Sequence, residues 1–166
     1  MKNVVVFDND KVEETNMNRL IGAWISDVKK RLLKTKVAER IFKKILPNNN
    51  LVCIPDKWQN HPDLLQLCDI VVGCVDTYSE RQQLEAECRR YLIPYIDIGM
   101  DVNDSKCGYY MSGQVILSMP GMPCMFCTGY LTDEKLGREA ARYGNTGGRP
   151  QVVWANGVLA SLPSAF

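Results

Sequence analysis

Apolar residues in this chain fall into short continuous runs separated by stretches of helical period. Val4-Val5-Val6-Phe7 is a largely β-branched run that predicts a buried strand over 3–8. Over 29–46, Leu32, Leu33, Val37, Ile41 and Ile45 share one stripe with lysines and arginines opposite. That pattern predicts an amphipathic helix, ended by Pro47 and three asparagines. The stretch before it, 21–28, is apolar, contains a glycine and has no decisive period. A short strand over 51–54 follows, then a short helix over 61–68 with Pro62 in its first turn. Residues 69–75 predict a second fully buried strand and 94–98 a third. Between them 79–92 reads as a helix, with Ser79 as N-cap and Gln82 three residues on. Weak alternation over 108–118 predicts a strand or bent hairpin, and 120–123 a loop. A helical segment over 132–143, a loop over 144–150 and an apolar helix over 152–162 complete the chain. Strands alternating with helices imply an α/β fold with a mainly parallel sheet, read as one domain over 1–166.

Composition narrows the function classes. A net charge of +1 with 23% charged residues is ordinary for a soluble protein, and it argues against a nucleic-acid binder, which carries a basic face. No apolar run reaches the ~18–20 residues of a membrane span, and the N-terminus lacks a signal-peptide layout. Seven cysteines, an odd number in a chain of α/β pattern, read as reduced and intracellular, with the cytoplasm as the expected compartment.

The candidate chemistry begins where the first strand ends. Asp8 sits at the sheet edge where a carboxylate can take both hydroxyls of a ribose, or it is simply a turn residue. Asp10 can contact a metal or sit in the same turn. Asn16 and Arg19, three apart on one face of a turn, suit phosphate oxygens, against a helix-capping Asn16 and a solvated Arg19. A Gly-x-Gly-x-x-Gly turn belongs one strand and one helix upstream of such a carboxylate, but only Met1, Lys2 and Asn3 precede this strand. The chain is therefore expected to be incomplete, lacking the first strand, glycine-rich turn and first helix of a nucleotide-binding fold. Lys36 lies among Lys29, Lys30, Lys34, Lys43 and Lys44, and spacing alone favours a solvated face.

Asp76 ends a strand and precedes a helix, where a carboxylate can hold Mg²⁺ on nucleotide phosphates or cap the helix. Cys124 and Cys127 have the spacing of half a zinc site or of a redox pair, and are otherwise two ordinary reduced cysteines. Cys107 is a weak third ligand, and His61 is the only histidine. Cys53, Cys68, Cys74 and Cys88 lie in apolar runs or on helix faces and are expected in the core. Nothing forms a Ser-His-Asp set.

Taken together, Asp8-x-Asp10-x-Val12-Glu13-x-x-Asn16-x-Asn18-Arg19, then Lys36, Cys74-Val75-Asp76 with Arg81, and Pro123-Cys124-x-x-Cys127 resemble the ThiF/MoeB/HesA family. This E1-like family adenylates the C-terminal glycine of ubiquitin-like proteins. The resemblance runs from Val4 to about Cys127 and more softly from 149 to 161. It implies ATP and Mg²⁺, with Asp8 on the ribose, Asn16, Arg19 and Lys36 on the phosphates, and Asp76 organising Mg²⁺. Lys34 is the substitute for Lys36, because the segment after Arg19 is longer than usual. The family's Cys-x-x-Cys joins a later one around Zn²⁺, so Zn²⁺ here needs further ligands. The implied partners are a ubiquitin-like or sulfur-carrier protein ending in glycine and a second copy in a homodimer, with no nucleic acid and no membrane. Three alternatives stay open: a dehydrogenase with Asp8 on the NAD ribose, a non-catalytic partner subunit, and a fragment without activity of its own.

Overall fold

The structure, a computed structural model, describes residues 3–105, 108–141 and 153–165. The chain divides into two compact units, Met1–Pro62 and Asp63–Phe166. In the first unit, β1 (Asn3–Phe7) is joined to its partner through α1 (Ile25–Lys29) and α2 (Lys34–Ile45). The partner, β2 (Asn50–Ile54), pairs with it in parallel, Val5 opposite Val52. β1 was expected to be buried. Its residues 4–7 are half-buried, and β2 covers one edge only among the described residues.

The helix expected over 29–46 starts only at Lys34, a separate short helix, α1, occupies the end of the undecided stretch before it, and the break between them has a definite cause. Arg31 adopts a left-handed conformation, φ +49°. The Arg31 N–H donates to the Val28 carbonyl and the Leu32 N–H to the Asp27 carbonyl, the pair of bonds that ends a helix in a Schellman motif. Leu33 is then extended, and α2 restarts at Lys34. The stripe shortens accordingly: Val37 is buried and Ile41 half-buried, while Ile45 is exposed. Because glycine adopts this conformation without strain, Arg31→Gly is expected to raise stability by about 0.5–1 kcal/mol. The urea midpoint measures it, and a lower midpoint would show that the Arg31 side chain contributes more than its backbone costs.

The second unit opens around α3 (Pro62–Leu65) and β3 (Val71–Gly73). α4 (Tyr78–Arg90) leads to β4 (Tyr95–Ser105), parallel to β3, and β5 (Gly108–Ser118) pairs antiparallel with β4. α5 (Asp133–Ala141) and α6 (Val153–Ser161) follow. The α/β class and the parallel pairings are as expected, but the longest ladder, β4 with β5, is antiparallel. The strand expected to be fully buried over 69–75 is shorter and partly open, with Val72 50% exposed. β4 opens with buried Tyr95, Ile96 and Asp97, and packs with Leu84, Cys88, Met125 and Leu131 in the core. Burial pushes the Cys88 thiol up to about 12. Cys53 and Cys68 are only half-buried, and Cys74 is exposed, because β3 stops at Gly73 and leaves Cys74 in the loop beyond it. The loop expected over 144–150 lies outside the described residues.

Candidate functional site

In the first unit, the loop after β1 is sewn to the start of α2. The Val12 N–H donates to the Leu32 carbonyl at 2.7 Å and the Lys34 N–H to the Asp10 carbonyl at 2.9 Å. That stitching places Asp8 and Lys34 on one open cleft of ≈ 190 Å³ with Thr35, between walls that include Leu20, Ile21 and Ile41. Asp8 is half-buried, and its Oδ1 accepts the Asp10 N–H at 2.8 Å, an Asx-type turn that fixes the strand end. Asp10 is an exposed carboxylate paired with Lys34 Nζ at 2.7 Å.

Asn16 closes a 3-10 turn over Glu14–Asn16, with its Oδ1 accepting the Glu13 N–H at 3.2 Å. Arg19 is held through Nη1 alone, which donates to the Thr15 carbonyl at 2.7 Å and to Asn18 Oδ1 at 3.1 Å. No described residue pairs with its Nε or Nη2, the two donors of one side of the fork. Lys36 is exposed and turned to Glu39 at 2.9 Å; that ion pair holds the ammonium above its usual range and, with Lys43, the Glu39 carboxyl down to about 2. Asn16, Arg19 and Lys36 do not line the cleft; Lys34 does.

In the second unit, Asp76 follows β3 and precedes α4, as expected. Capping was its competing role, and the structure assigns that role elsewhere. Thr77 is the N-cap, two residues before the expected Ser79, and its Oγ1 accepts the Glu80 N–H at 3.1 Å. Thr77 and Glu80 carry the same capping spacing as Ser79 and Gln82, so the signal was present two residues away. The Tyr78 and Ser79 N–H groups donate to the Glu139 carboxylate at 2.7 and 2.9 Å. Asp76 is exposed, and no hydrogen bond or ion pair of its carboxylate is formed among the described residues.

Behind this loop stands a buried polar network. Arg81 pairs with Asp97 and donates from Nη2 to the Val75 carbonyl at 2.6 Å, while Tyr95 Oη donates to Asp97 Oδ1 at 2.8 Å. Burial, then the Asp97 carboxylate, push the Tyr95 hydroxyl far above the phenol range, so it remains the donor. Gly73 and Gly99 make room for the network: a Cβ on Gly73 would meet the Tyr95 ring at 2.7 Å and one on Gly99 the Arg81 guanidinium at 2.6 Å.

Cys124 and Cys127 lie 3.2 Å apart, sulfur to sulfur, in a turn where Cys124 is half-buried and Cys127 exposed. The Cys127 N–H donating to Cys124 Sγ, then the Cys127 thiol, hold the Cys124 thiol below its ordinary range. Buried Glu85 on α4 anchors the turn, accepting the Met125 N–H at 2.9 Å and the Ser118 hydroxyl at 2.6 Å. Two thiols fit half of a tetrahedral Zn²⁺ site, and no group of three His, Cys, Asp or Glu suited to a metal occurs among the described residues. Cys107 lies outside the described residues, and His61, in the first unit, faces Asp56 at 3.0 Å. Mg²⁺ makes a lighter demand, since it keeps waters and takes one or two carboxylates with substrate phosphates, so an exposed carboxylate such as Asp76 fits it. No helix among the described residues is long and apolar enough to cross a membrane.

Comparison with known proteins agrees on a lineage. The chain is 27% identical over 139 residues to ubiquitin-like modifier-activating enzyme 5 of Drosophila ananassae, covering 75% of this chain and 33% of that protein. It thus spans about a third of the length of the curated relatives it matches. Among solved structures, E. coli MccB with ATP superposes with a TM-score of 0.68 at 23% identity, covering 99% of this chain and 46% of that one. The microcin C7 biosynthetic enzyme MccB in complex with N-formylated MccA gives 0.72 at 24% identity, covering 99% and 48%. At these identities the superpositions speak for a shared fold. The family model described as the ThiF family matches residues 1–164, and the chain belongs to that family.

Proposed function

We propose that residues 1–166 form an adenylation domain of E1-like type, acting on the C-terminal glycine of a ubiquitin-like or sulfur-carrier protein. The reaction read here is attack of the glycine carboxylate oxygen on the α-phosphorus of ATP. A phosphorus–oxygen bond forms, the bond to the β-phosphate bridge breaks, and pyrophosphate leaves with the charge. No covalent nucleophile on the protein is needed, so the protein's contribution is orientation and charge stabilisation.

In this reading Asp8 takes the ribose hydroxyls, and Asp10 fixes Lys34 beside it. Arg19 offers the open side of its fork to phosphate oxygens. Lys36 keeps its phosphate role only by leaving Glu39, and Lys34 is the ammonium already on the cleft. Asn16 holds the turn that carries Arg19 and is close enough in sequence to share its phosphate contact. Asp76 is the carboxylate for Mg²⁺, which supplies charge neutralisation at the phosphates when bound. Cys124 and Cys127 supply two thiolates to Zn²⁺ where other ligands complete the set. A homodimer is part of the proposal.

The observation that carries this reading is Asp76: an exposed strand-end carboxylate left unused by the helix it precedes. The test is calorimetric titration of the chain with ATP, with and without Mg²⁺. We expect binding that depends on Mg²⁺ and that Asp76→Ala weakens about tenfold or more. Binding of NAD in place of ATP would favour the dehydrogenase. Capture of a Gly-ending carrier protein that survives removal of ATP would favour the non-catalytic partner.

A further inference from the structure

We propose that Glu139 is a positioning residue for the Asp76 carboxylate; this rests on the reading of Asp76 as the Mg²⁺ ligand. An aspartate just before a helix has a strong local alternative: its side chain turns forward onto the N–H two residues on, an Asx-turn. For Asp76 that donor is Tyr78. A helix start leaves its first N–H groups without intrahelical partners, and a nearby carboxylate is drawn to them.

In this chain those donors are already spoken for. Thr77 takes the Glu80 N–H, and the two oxygens of Glu139 take the Tyr78 and Ser79 N–H groups, from an element about 60 residues further along. A second contact from the same helix face makes this a two-point clamp. Lys135, one turn before Glu139, places Nζ 4.9 Å from the Tyr130 ring and 5.7 Å from the Tyr78 ring, and donates to the Tyr130 carbonyl at 2.5 Å. α5 thus grips the first residue of α4 by its backbone and by its ring. From the other side Arg81 holds the Val75 carbonyl. The loop between is fixed at both ends, and the first three N–H groups of α4 are all taken before the Asp76 side chain can cap them.

The test uses the 166-residue chain with Glu139→Ala, Glu139→Gln and Asp76→Ala. Backbone-amide exchange at Tyr78 and Ser79 is followed without ligand, and line broadening of the amides of 75–77 is followed on titration with manganous ATP. Glu139→Ala should speed exchange at Tyr78 or Ser79 about tenfold and raise the manganous-ATP midpoint by a similar factor, with Val115–Leu117 unchanged. Glu139→Gln, which keeps one acceptor, should fall between. Unchanged exchange and midpoint in Glu139→Ala would overturn the proposal. So would tighter manganous-ATP binding in that variant, which would make Glu139 a competitor of the ligand. If Asp76→Ala retains the wild-type midpoint, or the wild type shows no broadening at 75–77, the reading of Asp76 fails. The exchange arm still decides separately whether Glu139 holds the loop.

Discussion

Replacing Asp97 by alanine is expected to lower the unfolding free energy of the second unit by about 3–5 kcal/mol, the cost of breaking a buried ion pair from one side. Asp97 is fully buried and Arg81 nearly so. Removing the carboxylate leaves a buried guanidinium with the Val75 carbonyl and the Gln114 amide, and strands the Tyr95 hydroxyl. Both groups are buried, and a buried donor left unmade forfeits its full solvation. Asp97→Asn keeps the volume and one acceptor, so it should lose about half as much. Urea unfolding followed on the β4 amides measures both. An alanine variant within about 1 kcal/mol of wild type would show that Arg81 and Tyr95 find other partners, and that the network is not what fixes the Asp76 loop.

The parts of this fold that were legible in the sequence are those whose signals are local. The β-branched run before Asp8 and the end of the second helix at Pro47 both stand where pattern and punctuation place them. The failures have physical reasons. A helix end with glycine in the left-handed position announces itself, but Arg31 fills that position here, so the break at 30–33 was invisible. β4 continues to Ser105, past the expected end at 98, through Gly99, Asp101, Asn103 and Asp104, residue types that are depleted in strands. Pairing along the whole of β5 gives that backbone its partners regardless of propensity. Cys74 looked like core because it prolongs an apolar run, yet the strand ends one residue earlier.

The site divides the same way. That Asp8 and Asp76 follow strands was legible, because the apolar runs before them mark the strand ends, and strand ends in an α/β sheet are where candidate ligand groups are sought. Lys34 and Lys36 were not separable, because both stand in one lysine-rich segment whose composition favours neither. What distinguishes them is the stitching of Asp10 to the helix start, a contact across 24 residues. Asp97, Glu85 and Glu139 act over 16 to 61 residues of separation, and no local spacing marks them.

Glu85→Ala is expected to cost about 2–3 kcal/mol and, more informatively, to free the Cys124–Cys127 turn. Glu85 is buried, and its carboxylate gathers three groups: the Met125 N–H, the Ser118 hydroxyl, and Arg89 Nε at 3.5 Å. Met125 is the residue after Cys124, so the bond to its N–H is the one that holds the turn against α4. Arg89 adds a second tie, donating from Nη2 to the Met122 carbonyl at 2.8 Å and from Nε to Ser118 Oγ at 3.0 Å. With alanine at 85 the Met125 amide loses its acceptor and Arg89 loses its counter-charge, so both ties weaken together. Amide exchange at Met125 should accelerate about tenfold or more, and half-buried Cys124 should be alkylated nearly as fast as exposed Cys127. Cys88, buried on α4, should stay unreactive and so reports that the helix remains packed. Glu85→Gln separates charge from shape: it fills the same space but offers only one acceptor, and its amide would face the donors the carboxylate now receives. If the glutamine variant matches wild type in exchange and alkylation, the charge is dispensable, and one acceptor with the side chain's shape holds the turn. If it behaves like alanine, the carboxylate is what presents the two thiols side by side.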